Sequence, residues 1–161
     1  MPVIIKAQDI SLPVDSATHM VTYQGVVELK GSKPDLYNKG LEWMALTFNK
    51  NNYDIIQIQD KDLGKLAGRW AINTFYGNVT ATIMLLFKGN KYKYILTELY
   101  YTNSIAPSKG GCNFEADEKM WNKITWKYVH QRVVNETVAT IENTVTDLNK
   151  LMSAPDKPQD F

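Results

Sequence analysis

Three groups of residues in this chain have types that could do chemistry. Cys112, Asp117 and His130 are the ingredients of a thiol triad. That arrangement needs a base within hydrogen-bonding reach of the sulfur and a lowered thiol pKa. Glu98, Glu115, Asp117 and Glu118 could supply an acid–base carboxylate pair, if the fold sets the right separation. Asp60 and Asp62, in "QIQDKDLGKLAGRW" (57–70), could contact a cation. Each group also has a plainer reading. The triad candidates lie in or beside a loop-like stretch. "ADEK" (116–119) reads as a solvated helix start. An EF-hand loop needs a ligand at its fifth position and a distal glutamate, but the fifth position from Asp60 is Gly64. The acidic stretch therefore reads as a turn.

Other signatures are missing. "GKLAGRW" is no P-loop, since Lys65 follows Gly64 directly and no GK[ST] closes it. His19 and His130 have no metal spacing, and each reads as a surface or packing residue. Asn78-Val-Thr and Asn135-Glu-Thr match glycosylation acceptors, but a turn residue and a helix cap explain them better. The residues alone assign no catalytic, cofactor or metal site.

The elements that must position these groups come from a chain of 161 residues, 44% hydrophobic and 22% charged. That suits a single soluble domain with a real core. One cysteine permits no internal disulfide. A net charge of +1 lacks the basic excess of a nucleic-acid binder, and no internal repeat is found. No apolar run approaches the ~20 residues of a membrane span, and the start "MPVIIKAQDI" lacks the apolar core of a signal peptide. The expected location is therefore the cytoplasm, or else the chain is a mature form with Met1 added.

"THMVTYQGVVELK" (18–30) alternates, with Val21, Tyr23, Val27 and Leu29 on one face, which predicts a half-buried strand. Gly25 on that face predicts a bulge or a close crossing. In 31–50 the period becomes helical. Ser32 caps, Asp35 stands three residues on, Pro34 suits the first turn, and Tyr37, Leu41, Met44, Ala45 and Phe48 form the stripe. Gly40 predicts close packing on a sheet, and Asn51-Asn52 stops the helix. Strands follow at 53–59, 64–76, 78–88 and 91–102. Gly64 is predicted in a left-handed hairpin position, and Gly89-Asn90 closes the last hairpin. The second helix is predicted over 135–152, capped by Asn135 with Val138, Ile141, Val145, Leu148 and Met152 inward. Residues 153–161 read as a tail. Between these lies 103–134, where a sixth strand through Ile124, Trp126 and Tyr128 and a short helix near 116–122 are both open.

One anomaly points to function. Val79, Ala81, Ile83, Leu85 and Phe87 make one face of the fourth strand. The opposite face should be polar if it met water. Simple alternation instead puts Met84, Leu86, Ile95, Leu99 and Tyr101 there, rimmed by Lys65, Arg69, Asn73 and Lys93. Three explanations follow: 103–134 folds back as a cover, two copies pair as a homodimer, or the face holds a protein partner or small ligand. The rim charges also suit a solvated edge.

The strand–helix–four-strand–helix order, with "LPV" (12–14), "YQGVVEL" (23–29), "LYNKGLEW" (36–43), Phe48, "IQIQD" (56–60) and "GKLAG" (64–68), resembles a Bacteroidetes family of unknown function. The resemblance covers roughly 12–102, with the last helix fitting by position. It implies an α+β, TATA-box-binding-protein-like (TBP-like) fold, β-α-β-β-β-β-α, with two helices on one face of an antiparallel sheet. It also implies a secreted, periplasmic or other cell-envelope location, since such proteins commonly carry export signals, and it implies no chemistry. The expected function is a non-enzymatic binding or interaction module using its sheet surface. The alternative is an enzyme working through Cys112 or a carboxylate pair.

Overall fold

The chain reverses at the turns that its sequence predicts. In the computed structural model, which describes residues 11–48 and 55–156, Gly64 is left-handed (φ 66°) and Asp60 Oδ1 accepts the Leu63 N–H at 2.9 Å. The acidic stretch is thus a turn, with Asp60 accepting a backbone N–H three residues on. Gly89 (φ 59°) turns the next long hairpin. Between these turns run β2 (Ile55–Asp60), β3 (Lys65–Thr74), β4 (Gly77–Lys88) and β5 (Lys91–Asn103), an antiparallel meander. The first strand, β1 (Tyr23–Glu28), pairs antiparallel with β5. The sheet order is β1-β5-β4-β3-β2. The predicted stop at Asn51-Asn52, the start "MPVIIKAQDI" and the last five tail residues lie outside the described residues.

Helix α1 (Lys33–Phe48) starts on the predicted capping box. Ser32 Oγ accepts the Asp35 N–H at 3.3 Å and donates to the Asp35 carboxylate at 2.7 Å. Leu36, Tyr37, Trp43, Met44 and Phe48 are buried. Ala45, expected inward, is exposed, because the inward face turns through Trp43 instead. Gly40 lies where α1 meets the sheet: a Cβ there would overlap the end of the Phe87 ring. Gly25, likewise, is crossed closely, since a Cβ would meet the Tyr94 ring of its paired residue.

The 103–134 segment differs most from expectation. It forms a short strand β6 (Gly111–Asn113) and a helix α2 (Glu118–Ile124), so the sheet carries three helices, not two. No strand runs through Ile124, Trp126 and Tyr128. Trp126 is the N-cap of α3 (Lys127–Ser153), which starts eight residues before the predicted cap, so Asn135 is mid-helix and exposed. Val129, Val133 and Val134 extend the buried stripe of Val138, Ile141, Leu148 and Met152 two turns upstream. Nor does this segment cover the open face of the sheet. Its Phe114 and Trp121 are buried in the helical layer, Trp121 stacked on Tyr101 at 5.4 Å and on His130 at 3.9 Å.

One bulge sets which β5 residues are inward. Met84 pairs with Ile95 and Thr82 with Thr97, but Thr80 pairs with Tyr100 and Val79 with Tyr101. The extra residue lies at Glu98–Leu99, where Glu98 takes φ 57°. An inserted residue reverses the in–out phase. Leu99 (1% exposed) and Tyr101 (0%) are therefore core beneath the helices, not open-face residues. Tyr100 takes their place on the open side at 39% exposure. Met84, Leu86 and Ile95 do lie on the open face, half-buried.

Candidate functional site

The same bulge opens a notch in the sheet. Along one edge of β5, β1 pairs as far as Leu96, and β6 resumes pairing at Tyr100. Thr97, Glu98 and Leu99 lie in the gap. At its β6 end the Leu99 carbonyl accepts the Phe114 N–H at 3.0 Å, and side chains bridge the rest: Glu115 Oε1 accepts the Val21 N–H at 2.6 Å, and Thr22 and Thr97 hydroxyls meet at 3.1 Å. A turn held by Asp15, which accepts the Thr18 N–H and hydroxyl at 2.9 Å each, ends at His19 (φ 58°) beside the notch. Those hydrogen bonds hold the Asp15 carboxyl below its ordinary pKa.

The result is a cleft of about 530 Å³ on the helix-free face, lined by His19, Met20, Arg69, Glu98, Tyr100, Asn113 and Glu115. Arg69, from β3, projects into it and donates from Nη2 to Thr80 Oγ1 at 3.1 Å. Glu98 Oε2 accepts the Thr82 hydroxyl at 2.6 Å. Among the described residues, His19 and Glu98 are the non-glycine residues with positive φ, and both line this cleft. A left-handed conformation costs a residue with a Cβ roughly 1–2 kcal/mol, and such strain concentrates at ligand-holding sites.

A second concavity, of about 330 Å³, lies on the helical layer between Phe114, Glu118, Lys127, His130 and Val134. It has no strained backbone, and its Glu118 already pairs with Lys127 at 3.7 Å.

The residues singled out in the sequence divide. Arg69, Glu98 and Glu115 come together in the cleft. Lys65 and Lys93 sit on the same open face, both in register with Leu86, and Asn73 lies farther along β3 opposite Asn78. Asp117 is spent as the N-cap of α2, accepting the Met120 N–H at 2.8 Å. Cys112 is 5% exposed, and burial pushes its thiol up to about 11. It is almost wholly protonated near neutrality, the reverse of what a nucleophile needs. His130 packs flat on Trp121, and burial lowers its pKa. Cys112, Asp117 and His130 thus do not assemble a triad. Among the described residues no three His, Cys, Asp or Glu side chains gather as a metal site, and no helix is long and apolar enough to cross a membrane.

Sequence reading missed His19, Met20, Tyr100 and Asn113 as cleft residues. A signal for the bulge was present: unbroken alternation from Leu96 would carry the charged Glu98 to the buried face and Leu99 outward, and an inserted residue reverses both.

Residues 23–102 match the profile of a family described as a domain of unknown function (DUF4468) with TBP-like fold. Among solved structures the chain is similar to a DUF4468 family protein from Bacteroides ovatus, with a TM-score of 0.69 and 17% identity over 91% of this chain and 92% of that one. It is also similar to a TBP-like protein from Parabacteroides distasonis, with a TM-score of 0.69 and 14% identity over 88% and 96%. No curated protein matches it. At such identities the structural likeness establishes the shared fold.

Proposed function

Because the chain belongs to the DUF4468 family, domains of unknown function with a TBP-like fold, we propose a role drawn from its own geometry: a non-enzymatic binding module of the cell envelope that holds its ligand or partner on the helix-free face of the sheet. What carries this reading is the meeting of the strained residues His19 and Glu98 in one polar cleft. Strain of this kind persists only where the surrounding structure enforces it, and here it shapes a concavity instead of a closed core. The half-buried Met84, Leu86 and Ile95 and the rim cations Lys65 and Lys93 continue the same face. The envelope location, secreted or periplasmic, rests on the likeness to a family whose members commonly carry export signals.

The test is an amide NMR titration of the labelled protein with a low-molecular-weight extract of the native cell's envelope. Shifts confined to Met20, Thr82, Glu98, Tyr100 and Asn113 support the reading. An extract that moves none of them overturns it.

One observation favours a second reading. Glu98 and Glu115 share the cleft, so an acid–base enzyme would use that carboxylate pair, not Cys112. New product signals appearing in the same titration, and lost in Glu115→Gln, would establish the enzyme instead.

A further inference from the structure

The cleft holds opposite charges that do not neutralise one another. Arg69 donates to Thr80, and among the described residues it makes no ion pair. A guanidinium has five N–H donors, so most of its donors remain open to the cleft. Glu98 accepts one hydroxyl and Glu115 one backbone N–H. A carboxylate has about four acceptor sites, so each of them keeps acceptors to spare. The arginine comes from β3, Glu98 from the bulge of β5, and Glu115 from the chain just after β6. Three separate segments therefore hold a cation and two anions around one space of about 530 Å³. Tyr100 adds a partly exposed ring, whose face favours a cation, and Asn113 adds an amide.

On the reading of this cleft as a ligand site, we propose that its ligand is a small zwitterion of the amino-acid or short-peptide type. Its carboxylate docks on Arg69, and its ammonium sits between Glu98, Glu115 and the Tyr100 ring. A purely anionic ligand would meet two carboxylates, and a purely cationic one would meet the guanidinium. Only a molecule carrying both charges satisfies both walls.

The experiment is calorimetry combined with amide NMR, using the twenty free L-amino acids and triglycine, each at about 10 mM, enough to load even a millimolar site. The positive probes are then repeated as N-acetylated and as C-amidated derivatives. The expected result is binding by at least one zwitterion, with shifts at Glu98, Tyr100 and Asn113. Blocking either end, or making Arg69→Met or Glu98→Gln, weakens it at least tenfold. Binding that survives blocking of one end overturns the zwitterion assignment while keeping the cleft as a ligand site. Silence from every probe also overturns it, and the envelope-extract titration then decides separately whether the cleft binds at all. The blocked probes act on the unaltered protein, so the result does not depend on how well the variants fold.

Discussion

Replacing Leu99 with alanine should unfold this protein more readily than replacing its larger neighbour Tyr100. Leu99 is 1% exposed beneath the helical layer, while Tyr100 is 39% exposed on the open face. Truncating a fully buried leucine removes its transfer free energy and leaves a cavity, together about 2–5 kcal/mol. Leu99 belongs to the same buried cluster as Tyr101, Phe114 and Trp121, which puts it near the middle of that range, about 3–4 kcal/mol. Tyr100 is only partly covered, and its truncation should cost about 1 kcal/mol, as for an ordinary half-surface position. The contrast exists only because Glu98 is an inserted, left-handed residue. Without it, alternation from Ile95 would carry Leu99 outward and Tyr100 inward, and the ranking would invert. Urea unfolding followed by circular dichroism measures both variants, compared at equal m-value. A Tyr100→Ala variant less stable than Leu99→Ala would refute the bulge and, with it, the cleft built on it. Glu98→Gly adds a control. Strain relief of about 1–2 kcal/mol is offset by glycine's greater chain freedom, about 0.5–1 kcal/mol, and by the lost Thr82 hydrogen bond, about 1 kcal/mol. Its stability should lie within about 1 kcal/mol of wild type.

Other consequences follow from the packing. Gly40→Ala gains about 1 kcal/mol of helix propensity but drives a methyl into the buried Phe87 ring, so it should destabilise the fold, and Phe87→Leu in the same chain should restore part of the loss in urea melts. Cys112, with its thiol pushed up to about 11, should resist a disulfide reagent at pH 8 in the folded protein and react fully in denaturant; fast labelling of the native form would contradict its burial. Burial keeps the folded His130 pKa below 6.5, so the unfolded chain takes up the proton first as pH falls. The stability owed to neutral His130 is complete above about pH 6.5 and declines as pH drops through that value toward the lowered folded pKa. His130→Phe should flatten the urea midpoint between pH 7 and pH 5, and an unchanged slope would assign the dependence elsewhere. Thr137 is fully buried with no hydrogen bond for its hydroxyl, so the isosteric Thr137→Val should stabilise by about 1 kcal/mol, read as a higher melting temperature.

The sequence by itself determined what depends on neighbours a few residues apart. The Ser32–Asp35 box starts α1, Gly64 and Gly89 set the turns, and period-two alternation from Val79 to Phe87 marks one wall of the core, since caps, turns and pleat are local chemistry. The start of α3 was obscured by the same locality. Val129, Val133 and Val134 fit a helical stripe, but β-branched residues near an alternating Ile124, Trp126 and Tyr128 fit a strand as well, and only packing on the sheet chooses between them. Tertiary structure alone decided the site. A bulge becomes definite only when a partner strand imposes its register, so Leu99 and Tyr101 could not be turned inward before β4 was in place. The gap between β1 and β6, which gathers His19, Arg69, Glu98, Tyr100 and Glu115, joins residues close in space but far apart along the chain. No local pattern encodes that meeting, because it is set by how strands pair.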